Sequence, residues 1–326
     1  FEPKSNNLLH EIGLEKIKRF QPDAIFCRSP HSYLKNKFLD ELVSSLNKKP
    51  NLIAWYGAAS GDESSFRFFD LTLSNSKHLV NSLRKKDIKA DFLQHAFDPI
   101  ILDKIKIPAE RLNRVAFFGN LDVSTNDFRK RTKLLEEVSE KTNLLDVYGA
   151  HKVPTLKETS KHTLLKVRQK ISASINQVIP NQRFDYWSDK QNLPTSPWEL
   201  SKNFCKQIKS PLYGQEMLQR LSNYQIALNY HNQYTGDCAC NMRLFEATGV
   251  GCTLITDHKS DLHEYFDFES EVLTYKTAEE ACSKIKFLID NTKVADEMGK
   301  KAQVKCLSKY SIFNFSDVFC DYIQKL

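Results

Sequence analysis

No stretch of this 326-residue sequence approaches the roughly 18 uninterrupted apolar residues that a membrane-spanning helix needs, so nothing in it is expected to cross a bilayer. The opening FEPKSNNLL lacks a basic and then apolar leader, and no signal peptide is expected there. Internal repeats and low-complexity tracts are also lacking, which argues against solenoids and disordered arrays. Cysteine is present without a disulfide pattern: eight residues are scattered from Cys27 to Cys320, which fits a reduced, cytoplasmic setting. Cys238 and Cys240 form a CxC with no second pair and no paired histidines, so the spacing of a zinc site is missing.

What is there is a chain too long for one ordinary core, with 41% hydrophobic residues, which suggests two domains. The formal net charge of +7 is unevenly placed, since residues 121–215 hold 16 Lys and Arg against 10 Asp and Glu. Such a stretch is either a solvated helical surface or a contact for anionic headgroups or phosphates. It carries no nucleic-acid reading motif and its aromatics are not interleaved with its basic residues, so nucleic acid is not expected as a partner.

Short apolar runs alternate with helical patterns from end to end. DAIFC (23–27), NLIAWYG (51–57), LTLSN (71–75) and ADFLQHA (90–96) form one series of strands; RVAFFGN (114–120), LLDVYG (144–149), YQIALNYH (224–231), CTLITD (252–257) and EVLTY (271–275) form another. Strand and helix in alternation predict two parallel sheets built from βα units, with the boundary near residues 105–113. The expected division is 1–110 for a first Rossmann-like domain, 111–310 for a second with a helical and loop insertion at 151–215, and 311–326 for a closing helix that packs back on the first. Two open α/β sheets in tandem make a cleft, with ligands just beyond the carboxyl ends of the strands.

The motif NMRLFEATGVGCTLITD (241–257) lies in such a place. It reads as a helix starting near Asn241, after a loop containing Gly236, and stopping at Gly249 to Gly251. One reading is a buried stripe of Met242, Phe245, Ala247 and Val250, with Arg243 and Glu246 as a solvated i,i+3 ion pair. The other is a phosphate site at the helix N-terminus, with Glu246 accepting hydrogen bonds from the paired hydroxyls of a ribose. The two features together describe a nucleoside diphosphate.

This motif, with the following DLHEYFDFESEVLTYKTAEEACSKIKFLIDN and the upstream YGQEMLQRLSNYQIALNYH, resembles the C-terminal half of GT-B glycosyltransferases of the CgeB-like group, in the style of families 1 and 4. FFGNLDVSTNDFRKRTKLLEEV and WYGAASGDESSFRFFDLTLSNSKHLVNSLRKKDIKADFLQHAFDP are similar to the same group, so the resemblance omits little beyond 151–210. It implies an α/β fold of GT-B type, two Rossmann-like parallel-sheet domains facing a cleft. It also implies that Glu246 holds the nucleotide ribose, that Asn241 and Arg243 face the diphosphate, and that Gly119 and Asn120 form the diphosphate or donor-sugar turn, with Arg129 or Arg131 adding charge. Gly236 and Gly249 bound the same donor site, and His231 sits at the cleft edge.

Two departures stand out. Retaining family 4 enzymes often carry a second acid eight positions before the ribose glutamate, where this sequence has Cys238 beside Asp237. A GT-B first domain opens with a strand and a glycine-bearing loop; this sequence opens on a polar segment and a helix, so that first βα unit is expected to be missing or displaced.

Asp62 and Glu63, in the loop after NLIAWYG, are candidates for a general base, as is His231; each also reads as an ordinary surface or strand-end residue, and His95 reads as structural. The implied activity is transfer of a sugar from a UDP, GDP or dTDP type donor to a hydroxyl of a glycan or lipid-linked acceptor. No DxD-type acidic site stands out, so no metal ligand is assigned and metal independence is expected. A peripheral contact with an anionic membrane at its cytoplasmic face is a further expected partner. The alternatives are a sugar-nucleotide epimerase of the same fold and a non-catalytic nucleotide- or glycan-binding module.

Overall fold

A computed structural model describes residues 3–28, 41, 43–57, 63–121, 126–151, 155–178, 200–231 and 237–326. Apolar runs such as LTLS and YQIALN become strands buried along their whole length, as expected where helices cover both faces of a parallel sheet. The first sheet holds β1 (Ala24–Arg28), β2 (Asn51–Trp55), β3 (Leu71–Ser74) and β4 (Ala90–Phe92), all parallel and in that order. The second holds β5 (Leu112–Phe118), β6 (Leu145–Tyr148), β7 (Ile208–Lys209), β8 (Tyr224–Asn229), β9 (Thr253–Asp257) and β10 (Val272–Tyr275), parallel throughout.

Strand order in the second sheet is β10-β9-β8-β5-β6-β7. The chain winds outward one way from β5 and then the other way from β8, so the topological switch point lies between β5 and β8. Crossovers leave diverging loops there and open a crevice at the strand ends. All nine strands expected from the sequence form. β7, two residues long, is additional; it pairs with Val147 and Tyr148 of β6.

Helices begin where short polar side chains cap them. Ser76 accepts from Leu79 N at the Lys77–Arg84 helix, Thr277 from Glu280 N at Ala278–Asp290, and Ser311 from Asn314 N at Ile312–Gln324. The second sheet is packed on both faces, one core centred on Phe245, Leu254 and Phe266, the other on Phe117, Ile226 and Ile285. Asp146 of β6 ties four strands together: it takes Arg114 of β5 at 2.9 Å, Lys209 of β7 at 3.2 Å and the Tyr224 hydroxyl of β8 at 2.7 Å. Burial alone would raise this carboxyl, but the hydrogen bonds from Arg114, Tyr224 and Lys209 outweigh it and hold Asp146 below its ordinary range.

The Ile312–Gln324 helix carries the chain back to the first sheet. Its Phe315, Phe319, Tyr322 and Ile323 pack beside Ile53, Trp55, Leu71 and Leu73, and Tyr322 Oη donates to the Phe92 carbonyl at 3.1 Å. The outgoing and returning crossings run side by side: Phe97 N donates to Tyr310 O and Ile312 N to Phe97 O, both at 2.8 Å. Asn75, just past β3, reaches across with Nδ2 to the Cys240 carbonyl at 2.6 Å. No described helix is long and apolar enough to cross a membrane.

Candidate functional site

A cavity of about 480 Å³ opens at the switch point, a volume ordinary for a small-molecule site. Its floor is the end of β5, Phe118 to Asn120. One wall is the start of the Met242–Gly249 helix, another is Leu212 to Gly214 with Met217, and Gly57 of the first sheet closes it from across the cleft. Gly57 is required there, since a Cβ on it would lie 2.8 Å from Asn75 Oδ1 and 2.9 Å from the Trp55 ring.

The Met242–Gly249 helix buries Leu244, Phe245, Ala247 and Thr248 against the sheet and turns Arg243 and Glu246 to the cavity. The i,i+3 ion pair forms, with Arg243 Nη1 2.7 Å from Glu246 Oε2, yet it is sheltered rather than solvated: the side chains are 17% and 18% exposed. Burial lowers the Arg243 pKa from its ordinary value, and Glu246 opposes that shift. The guanidinium lies 5.8 Å from the centroid of Phe118, which is itself stacked on Tyr148 at 4.5 Å. Met242, expected in the buried stripe, is exposed at the rim instead.

Asn241 is occupied by architecture. Its Oδ1 accepts from Arg243 N at 2.8 Å, and its Nδ2 donates to Asn229 Oδ1 at 2.9 Å. The side chain thus fixes the helix start to the end of β8 and lines the cavity while doing so. Arg131, from the Asn126–Thr142 helix, reaches the cavity beside Asn120, to whose carbonyl it donates. Burial pulls its pKa down to about 10, so it remains a cation near neutrality.

His231 is buried where the chain leaves β8. Its Nδ1 lies 2.8 Å from Asp257 Oδ1, and the same oxygen accepts from His231 N at 2.7 Å. Asp257 Oδ1 thus accepts from the backbone and meets the ring of the same residue, which fixes the orientation of the imidazole. Neither His231 Nε2 nor Arg243 Nε has a hydrogen-bond partner among the described residues, although both are buried. Two unsatisfied buried nitrogens on one cavity are what a polar ligand would satisfy.

The sequence-based candidates therefore divide. Gly119, Asn120, Arg131, His231, Asn241, Arg243 and Glu246 converge on the cavity. Asp62 and Gly236 lie outside the described residues. Glu63 is a correction of placement: its carboxylate accepts from Ser82 Oγ at 3.0 Å and pairs with Lys86 at 2.8 Å, away from the cavity lining, so it braces a helix there. Gly249 is another. A Cβ there would stand 2.4 Å from the Phe97 ring, so this glycine makes room for the crossing rather than for a ligand. Arg129 is absent from the cavity lining. Cys238 does not replace the missing acid, because burial, with Asp261 nearby, raises its thiol and keeps it neutral.

Sequence reasoning missed Gly57, Tyr213, Met217 and Asp257. Tyr213 left a signal, an aromatic directly before Gly214 at a helix start; it lies on the cavity rim 74% exposed. The others arise from packing between elements far apart in the chain.

Residues 160–317 match the model of a family described as glycosyl transferase-like. No curated protein sequence matches the chain. Among solved structures the fold is similar to TarM, with a TM-score of 0.59 and 12% identity over 96% of this chain and 58% of that one. A TarM variant from S. aureus was solved with fondaparinux, alpha-GlcNAc-glycerol and UDP. HepE of Anabaena with UDP-glucose is similar at a TM-score of 0.59 and 10% identity, covering 98% of this chain and 82% of that one. Sucrose-phosphate synthase of Thermosynechococcus elongatus follows at 0.58 and 10%, covering 97% and 77%. The chain thus spans 58% of the length of TarM. The fold is GT-B, as the sequence resemblance implied. Neither kind of match singles out the CgeB-like group.

Proposed function

We propose that this GT-B chain, glycosyl transferase-like in its C-terminal half, moves a sugar from a nucleoside-diphosphate sugar to a hydroxyl of a glycan or lipid-linked acceptor. The observation that carries the reading is the pair of unsatisfied buried nitrogens, on Arg243 and His231, at the switch-point cavity that also holds Glu246 and Arg131. HepE bound to UDP-glucose and TarM bound to UDP make the same class of donor the natural choice.

Each group then has a role. Glu246 accepts from the ribose hydroxyls, and the exposed Tyr213 ring offers a stacking face to the base. Arg131 and Arg243 face the diphosphate, whose charge grows as the bond from the anomeric carbon to the β-phosphate oxygen breaks. Fixed cations in a sheltered cavity stabilise that charge without reorganising. The acceptor oxygen takes the place of the phosphate on the anomeric carbon, and its proton needs a base. His231, on the cavity and oriented by Asp257, is the candidate to receive it. Metal independence belongs to the same reading, since the arginines supply the charge; activity lost in EDTA and restored by Mn²⁺ would overturn that part.

An epimerase needs several acids around the sugar. Among the described residues lining the cavity Glu246 is the one carboxylate, and it is already paired, so transfer is the better-supported chemistry. Calorimetric titration with UDP, GDP, dTDP, CDP and their common sugars tests the donor site. Selective binding of one nucleotide, with more heat or affinity for its sugar conjugate, is expected. Failure of all four to bind would overturn the reading.

A further inference from the structure

The Leu156–Val178 helix is turned the wrong way round for a helix serving a core. Its half-buried flank is Leu165, Gln169, Ser172, Ala173 and Asn176, mostly small or polar. Its apolar residues look outward: Leu164 is 70% exposed, Ile171 54% and Val178 79%, with Val167 and Ile175 between them also uncovered. Spacings of three and four place these five side chains on one stripe. From Leu164 to Val178 the stripe runs for about 21 Å of the helix.

Charge says what such a stripe fits. The helix holds four lysines and one arginine against a single glutamate. At 100° per residue Lys161 falls along one border of the stripe and Lys170 along the other, both exposed. A second copy of this helix would bring the same positive borders against themselves. An apolar core would gain nothing from cations on both margins. A lipid surface suits both features: acyl chains take the stripe, and lysines extend their ammonium groups to headgroup phosphates.

We infer that the Leu156–Val178 helix lies in the plane of an anionic membrane surface, apolar stripe down and lysine borders in the headgroups. The contact does not depend on which sugar is transferred, nor on the chain being an enzyme. It adds an element to the fold whose work is to hold the protein at a lipid surface.

The test is flotation of the intact protein with vesicles of phosphatidylcholine alone or with roughly one-third phosphatidylglycerol, in low and high salt. The protein is expected to float with the anionic vesicles, less in high salt, and not with the neutral ones. Lys161→Glu with Lys170→Glu should lower partitioning at least about 25-fold, taking about fivefold for each lysine at the surface. Leu164→Glu with Ile171→Glu should abolish flotation. All four positions are exposed, so melting temperature and nucleotide binding are expected to stay as in the unaltered protein, which separates this contact from the donor site. Flotation indifferent to anionic lipid, or untouched by the Leu164 and Ile171 changes, would overturn the inference. So would a dimer in sedimentation velocity that those same changes dissolve, since the stripe would then serve a second copy.

Discussion

Replacing Glu246 by Gln keeps the shape of the side chain and removes its charge, which makes it the sharpest probe of the donor site. Two effects separate. On the folded protein, the 2.7 Å pair with Arg243 is lost inside a sheltered wall. Removing one partner of a fully buried pair typically costs 3–5 kcal/mol. Here the amide oxygen still accepts from Arg243 and the site keeps some solvent, so a loss of about 1–2 kcal/mol is expected. On the ligand, a hydrogen bond to a charged acceptor contributes about 1.5–3 kcal/mol, so UDP affinity should fall by about 10- to 100-fold. Calorimetry with UDP and with its 2′,3′-dideoxy analogue isolates the contact. The analogue should bind the unaltered protein as weakly as UDP binds Glu246→Gln, and the two changes together should add little more. Losses that simply add would mean that Glu246 acts on affinity through Arg243 or the helix, not through the ribose. An unchanged UDP affinity would remove the donor-site assignment altogether.

Three other expectations follow from the same geometry. Arg131→Met should weaken UDP by about 10- to 100-fold and leave uridine nearly unaffected, because the charged group faces phosphate and not the nucleoside; calorimetry with both ligands reads the difference. Gly249→Ala should destabilise the protein by about 1–3 kcal/mol through overpacking on Phe97, seen as a lower urea midpoint, with UDP affinity unchanged. His95 is held down to about 4, first by burial and second by Arg28, beneath the 6.5 of a free histidine. The unfolded chain therefore takes up this proton first, and stability is lost as pH falls from 6.5 towards 4, by about 3 kcal/mol in all. Urea midpoints at pH 7 and pH 4.5 should differ less in His95→Gln than in the unaltered protein.

Much of the architecture could be read from local pattern. The buried parallel strands are short apolar runs closed by turn residues, and the Met242–Gly249 helix announces itself by Asn241 before it and the glycines after. β7 could not be read: two residues carry no periodicity, and Ile208 and Lys209 are a strand only because β6 offers its edge. The site divides along the same line. Residues near one strand end, such as Gly119, Asn120 and His231, were legible because the ends of α/β strands are where ligands lie. Asp257 was not, since its contact with His231 depends on β8 and β9 lying side by side. Phe118 meets Tyr148 for the like reason that the register of β5 and β6 makes them neighbours. Glu63 misled because a loop acid looks free until the Lys77–Arg84 helix brings Ser82 up to it, with Lys86 just beyond.

The paired crossings at Phe97 and Ser311 also set the mechanics. A single strand between two bodies behaves as a ball joint and permits twist in every direction. Two strands laid side by side and bonded at both 2.8 Å contacts behave as a door hinge with one axis. Close to that crossing, Lys77 meets Glu264, whose carbonyl also accepts from Tyr310 Oη, and Asn75 meets Cys240, so further contacts between the two sheets brace the joint. Sheets joined by two bonded strands are held in one relative register, with the strand ends of one set above those of the other.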